Sequence, residues 1–169
     1  MLNLGKTFQL DPNIFGNLPN SIGWNWTPNI GLNCVNCPNP IISSLESNYY
    51  FLQAEDGNGC VAKDTLLLRL DKSCVLFVPN IFSPNGDGTN DIIFSYAPPC
   101  VLKINHWAIF DRWGSKVFEA KDFIPNSPTT AWDGNLNGQK VNSGVYVWIA
   151  EMELIDGRVV LFSGDIGLV

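Results

Sequence analysis

Apolar side chains in this sequence recur at every second position, in short runs that Asn, Gly or Pro repeatedly interrupt. That spacing places alternate residues on opposite faces of an extended chain, whereas a helix needs apolar positions three and four apart over several turns. No stretch of ten or more residues carries such a helical stripe. The pattern predicts an all-β chain, with strands over 7–10, 22–26, 49–55 and 62–70 in a first part. A second part follows with strands over 75–78, 92–94, 104–110, 116–119, 145–154 and 158–162, and a last strand ending at Val169. Asp71-Lys72-Ser73 breaks the alternation between them, which sets one module over residues 1–72 and another over 73–169. Short strands at this spacing predict two tandem Ig-like β-sandwich domains.

Face assignments follow from the period. Leu66, Leu68 and Leu70 share one face of their strand while Thr65 and Arg69 lie on the other, the alternation of a sheet with one wet side. Tyr146, Trp148, Ala150, Met152 and Leu154 line one face of the longest run. Its other face passes from Val145, Val147 and Ile149 to Glu151 and Glu153, which predicts a strand buried on both faces at its start and wet on one at its end. Asp156-Gly157 then supplies the residue pair of a two-residue hairpin turn, where both central residues take positive φ.

Composition excludes several classes of function. Apolar residues at 46% against 15% charged, with ten Phe and six Trp, rule out a disordered chain and supply a core. A net charge of -6 with no basic run argues against a nucleic-acid partner. No apolar stretch reaches the roughly 18–20 residues of a membrane-spanning segment. The first residues lack the basic and apolar regions of a signal peptide. Five cysteines nevertheless point to export, so the segment reads as a C-terminal piece of an exported chain with Met1 supplied for expression.

Few residues offer chemistry. Cys34 and Cys37 can be half a zinc site, a redox pair or a disulfide; zinc wants four ligands and His106 is the one histidine, and no strand-helix-strand pattern surrounds the pair. A disulfide, local or long-range, is the favoured alternative, and with Cys60, Cys74 and Cys100 the odd total leaves one thiol over or paired elsewhere. Asn85, Asp87, Thr89 and Asp91 place side-chain oxygens at alternate positions around glycines, as a calcium loop does, although the match to an EF-hand is partial. The alternative is a tight turn whose side chains bond their own backbone. Trp132, in Trp132-Asp133-Gly134, can stack on a sugar ring or cap the end of a sandwich. No Gly-x-Ser-x-Gly elbow occurs, and Glu151 with Glu153 reads as a solvated face rather than a glycosidase pair.

The stretch Phe77-Val78-Pro79-Asn80-Ile81-Phe82-Ser83-Pro84-Asn85-Gly86-Asp87-Gly88-Thr89-Asn90-Asp91 closely resembles the start of the gliding-motility-associated C-terminal domain. That family is the type B targeting domain of the type IX secretion system of Bacteroidota, with the pattern F-x-P-N-x-F-S-P-N-G-D-G-x-N-D. Its R-W-G followed by V-F matches Arg112-Trp113-Gly114 and Val117-Phe118. Its W-D-G matches Trp132-Asp133-Gly134, and its G-x-x-V-x-x-G-V-Y matches Gly138, Val141, Gly144, Val145 and Tyr146. The resemblance covers about residues 74–169. It departs at the end, where members often read K-G-x-V-x-L-I-R and this chain has Ser163-Gly164-Asp165-Ile166-Gly167-Leu168-Val169 without the basic residues.

The resemblance implies a non-catalytic C-terminal sorting signal, read by the type IX machinery and carrying an attached protein across the outer membrane to the cell surface. It implies an outer-membrane β-barrel partner of the PorP/SprF type, and a gliding adhesin of the SprB kind as parent. It also implies a disulfide between Cys74 and Cys100. The last strand, Gly164, Asp165, Ile166, Gly167, Leu168 and Val169, is the expected recognition element by strand addition. The first module looks like the PKD- or Ig-like modules that precede such domains. The rival reading is an adhesive module that binds carbohydrate through Trp132.

Overall fold

A computed structural model describes residues 1–12 and 22–169, and strands dominate it. Among the described residues there is no α-helix, and the single 3-10 turn, Pro128–Thr130, is capped by Ser127. The chain divides into two compact units, Met1–Ser73 and Cys74–Val169.

The first unit contains β1 (Leu2–Asn3), β2 (Phe8–Gln9), β3 (Ile22–Thr27), β4 (Ile41–Ile42), β5 (Asn48–Asp56), β6 (Val61–Leu68) and β7 (Leu70–Asp71). An antiparallel sheet runs β3-β5-β6, while β2 pairs with β4 and β1 pairs in parallel with β7. Its core gathers Leu2, Leu10, Trp26, Ile42, Tyr50, Leu52 and Leu68. The leucine run behaves differently from its alternation. β6 is an edge strand exposed from Val61 to Leu67, and the chain then leaves β5 so that Leu70 pairs with Leu2. Leu66 therefore stays 37% exposed while Leu68 is buried.

The second unit contains β8 (Ile81–Phe82), β9 (Val101–Phe110), β10 (Lys116–Phe123), β11 (Asn135–Leu136), β12 (Gln139–Lys140), β13 (Gly144–Leu154) and β14 (Val159–Leu168). Five of these form one sheet in the order β10-β9-β13-β14-β8, antiparallel except for the β14–β8 pair. The inner face carries Trp107, Ile109, Tyr146, Trp148, Ala150, Met152 and Ile166, all buried. Opposite it stands a second layer of extended segments joined by isolated bridges, Phe77 with Tyr96 and Ile93 with Trp132. Val78, Phe82, Ile93 and Trp132 supply its buried side chains. The architecture is thus a sandwich of one regular sheet and one bridged layer.

Four expectations need correction. The segments at 75–78 and 92–94 make single bridges instead of strands, because Pro and Asn interrupt them before a ladder can extend. Val145 and Val147 are 60% and 46% exposed, since no described segment of their own unit covers the outer face of the sheet there. The β13–β14 connection closes with Leu154 N donating to Arg158 O (2.8 Å) and Gly157 N to Leu154 O (2.9 Å), and only Gly157 has positive φ. It is a three-residue loop with a left-handed glycine, not a two-residue turn. Beyond it, β14 continues unbroken to Leu168, joining what the sequence splits into two strands.

Candidate functional site

The 83–91 loop is a turn closed by its own side chains. Asp91 accepts from Gly86 N through Oδ1 and from Gly88 N through Oδ2, both at 2.7 Å. Asn85 Oδ1 accepts from Asp87 N (2.9 Å), and Asp87 Oδ1 from Thr89 N (2.7 Å). Asn85 Nδ2 donates to Asp87 Oδ2 at 3.0 Å. Gly86 and Gly88 sit at φ of 84° and 85°, which lets their amides converge on one carboxylate. Those amides, Gly86 foremost, hold the Asp91 carboxyl below the usual carboxylate range. Three of the four candidate calcium ligands, Asn85, Asp87 and Asp91, thus serve backbone amides, and Thr89 contributes its own N–H. Among the described residues no group of three or more His, Cys, Asp or Glu is placed to hold a metal ion.

Behind this loop lies an aromatic stack. Trp132 is 1% exposed, between Phe82 at 5.3 Å and Tyr146 at 5.2 Å between ring centroids, and its Nε1 donates to Asn135 O at 3.0 Å. Its ring is not available to a sugar, which removes the residue on which the carbohydrate reading rested. Tyr146 donates its hydroxyl to Asn142 O at 2.6 Å, and burial pushes the phenol pKa up, with Asp111 adding to it. Gly134, at φ of 76°, completes the contact: a Cβ there would lie 2.8 Å from Pro84 Cγ and 3.1 Å from Leu168 Cδ1. The signature loop, Trp132-Asp133-Gly134 and the last strand therefore meet at one glycine. Lys140 Nζ ties the same loop down from below, donating to Pro84 O at 3.0 Å.

The C-terminal residues are part of this framework. Ile166 and Leu168 are buried, and Gly164 faces Trp148 across the sheet, where a Cβ would stand 2.8 Å from the indole nitrogen. Gly167 N donates to Asn80 O (2.7 Å) and Val169 N to Phe82 O (3.1 Å). Strand addition over 164–169 is accordingly obstructed at its far end: β13 holds one edge and β8 the other at Gly167 and Leu168. Cys74 and Cys100 form a disulfide with Cα atoms 6.2 Å apart, Cys34 and Cys37 another with Cα atoms 6.0 Å apart, and Cys60 is an exposed free thiol.

Alternation also gives no role to Arg112-Trp113, which the structure singles out. Asp111 Oδ1 accepts from Trp113 N (2.9 Å) and Ser115 N (2.8 Å), turning the chain between β9 and β10. Trp113 is left 77% exposed, with the Arg112 guanidinium 5.1 Å from its ring centre. This turn and the 140–146 stretch border a cleft of about 340 Å3. Besides the Arg112-Trp113-Gly114 motif itself, a tryptophan inside an Asp-x-x-Gly turn, where packing demands none, is the sequence signal that marks it. The polar groups on the outer face pair among themselves: His106 Nε2 lies 2.8 Å from Glu119 Oε1, Glu151 accepts from Asn105 and Glu153 faces Lys103 at 3.6 Å.

The sequence model of the CHU_C type IX secretion signal domain matches residues 76–160, half of the chain. The chain belongs to this secretion signal family. Residues 76–160 are thus a signal read by the type IX machinery for export across the outer membrane to the cell surface. No curated protein matches the chain. Among solved structures, dimeric latent PorU from Porphyromonas gingivalis aligns with 96% of this chain and 18% of its own at 14% identity and TM-score 0.35. The fibronectin(III)-like modules of CbhA from Clostridium thermocellum align with 99% of this chain and 86% of theirs at 11% identity and TM-score 0.30. Likeness at that level carries no weight for function. Within the secretion signal domain the motifs divide by burial: Phe82, Trp132 and Tyr146 build the fold, while Phe77, Ile81, Trp113 and Val145 face solvent.

Proposed function

We propose that the Cys74–Val169 unit is a self-contained, non-catalytic sorting signal, and that the Met1–Ser73 unit is a PKD- or Ig-like module of the surface protein it delivers. The family match carries the reading, because residues 76–160 fall inside one unit whose motifs lock into one another. A gliding adhesin of the SprB kind in Bacteroidota fits as the parent, and an outer-membrane β-barrel of the PorP/SprF type as the receiving partner. The reading as non-catalytic is supported by the outer-face acids, which among the described residues are engaged by Asn105, Lys103, His106 and Lys116.

A reporter fused to residues 74–169 in a host with type IX machinery tests this. Surface display, read by protease sensitivity on intact cells, is expected, together with copurification of the barrel. A fusion retained in the periplasm at the level of unfused reporter would reject the sorting role. Deletion of 164–169 is a poor test, because it removes the buried Ile166 and Leu168 and is expected to unfold the unit.

A further inference from the structure

The five-stranded sheet has two outer edges, and they are treated differently. β10 carries Lys116, Glu119, Lys121 and Asp122, a register shift between Lys116 and Phe118, and a positive φ of 50° at Asp122. Charges, bulges and kinks of this kind are how natural sheets refuse an additional strand. The other edge belongs to β14, and β8 covers it only at Gly167 and Leu168.

Backbone direction along β14 can be read from its bonds. Arg158 O accepts from Leu154 N, so the even-numbered residues turn their N–H and C=O groups towards β13. Gly167 and Val169 donate to Asn80 and Phe82, so the odd-numbered residues turn outwards. Val159, Leu161 and Ser163 therefore present main-chain donors and acceptors to an edge that no strand among the described residues occupies. Between Arg158 and Asp165 the sequence Val-Val-Leu-Phe-Ser-Gly has neither charge nor proline. Val159 and Leu161 are 55% and 67% exposed on the outer face, and Val160 and Phe162 are half-buried on the inner one.

We propose that the outer edge of β14 over 159–163 is the docking edge of this secretion signal, taking one extended strand of the export machinery whose inward-facing side chains are apolar. The proposal rests on the sorting role above and names the contact through which it is read. Main-chain bonds to Val159, Leu161 and Ser163 supply the attraction, and alternate apolar side chains meet Val159 and Leu161 outside and Val160 and Phe162 inside. A charged residue on the inner side of the incoming strand would lose water against the half-buried Val160 and Phe162 without gaining a partner. A second copy of this chain fits less well. Antiparallel self-pairing centred on Leu161 sets the neighbour's Asp156-Gly157 turn against Asp165 and Asn80, where β8 already stands.

Leu161→Pro removes an N–H that points away from β13, so the β13–β14 ladder survives. Leu161→Lys adds a charge at an exposed position and covers the case in which the proline variant fails to fold. Reporter fusions of the full 169-residue chain are scored for surface display, and the purified chains for melting temperature and mass in solution. Display is expected to fall about tenfold or more for either variant, with melting within a few degrees of the unsubstituted chain. Folded variants displayed at the unsubstituted level would overturn the docking edge and leave the sorting role standing. An unsubstituted fusion that never reaches the surface would overturn both. A concentration-dependent dimer that Leu161→Pro dissolves would assign the edge to a second copy and overturn the proposal.

Discussion

Gly164 and Trp148 face each other across β13 and β14, and the indole fills the space a side chain at 164 would need. Gly164→Val is expected to cost about 1–3 kcal/mol, the range for overpacking a closed site, seen as a lower denaturant midpoint at unchanged slope. Trp132→Ala empties the space between Phe82 and Tyr146, and at about 3–5 kcal/mol approaches the whole stability of a small domain. Residues 74–169 carrying this change are expected to lose their near-ultraviolet circular dichroism. Glu119 behaves differently because it acts through charge. Hydrogen bonds from Lys116 and then His106 hold its carboxyl at about 2, well under its ordinary 4.5. A depressed carboxylate pKa stabilises the fold above the ordinary value, and that contribution disappears as pH falls through about 2. Glu119→Gln should therefore lower the melting temperature at neutral pH and match the unsubstituted chain near pH 2; equal melting at both would contradict this.

At the level of elements, the disulfide and the signature loop give contrasting expectations. Cys74 and Cys100 are 26 positions apart in sequence, and reducing them or replacing both by Ser is expected to remove about 3 kcal/mol. The 83–91 turn is expected to show no heat and no melting shift at millimolar calcium, because its oxygens already serve backbone amides; a saturable heat would restore the calcium reading. Asp91→Ala should lower the melting temperature by freeing Gly86 N and Gly88 N. What was legible in the sequence was local. β5, β13 and the hairpin at Asp156-Gly157 leave their period or their turn residues in adjacent positions. β1 with β7, and β8 with β14, are pairs of two or more residues brought from far apart in the chain, and a two-residue strand leaves no period to read. Val145 and Val147 misled for a related reason. An apolar residue records a preference for burial, whereas the presence of a covering layer depends on where other segments go.

For the molecule as a whole, residues 74–169 expressed alone should melt in one cooperative step, because their core and disulfide lie within that unit. Two separated transitions would contradict that. The family could be recognised from motifs because those motifs are mostly buried or in obligatory turns, and such residues tolerate few replacements. The same logic kept the candidate docking edge hidden. Val159, Leu161 and Ser163 matter through backbone direction, which no side chain spells out and which only the register of β13, β14 and β8 reveals. The closure of β8 on β14 also sets a temporal order. The partner of Ile81 and Phe82 leaves the ribosome last, after every other strand of its sheet, so the signature segment waits for Gly167 and Leu168 before its layer can close. A unit clipped ahead of Ile166 is expected to leave Ile81 and Phe82 without their partner strand and to melt well below the uncut one. The pairing thus makes the first segment of this unit's sheet depend on the last, so the fold is completed by the same hydrogen bonds that close its two ends together.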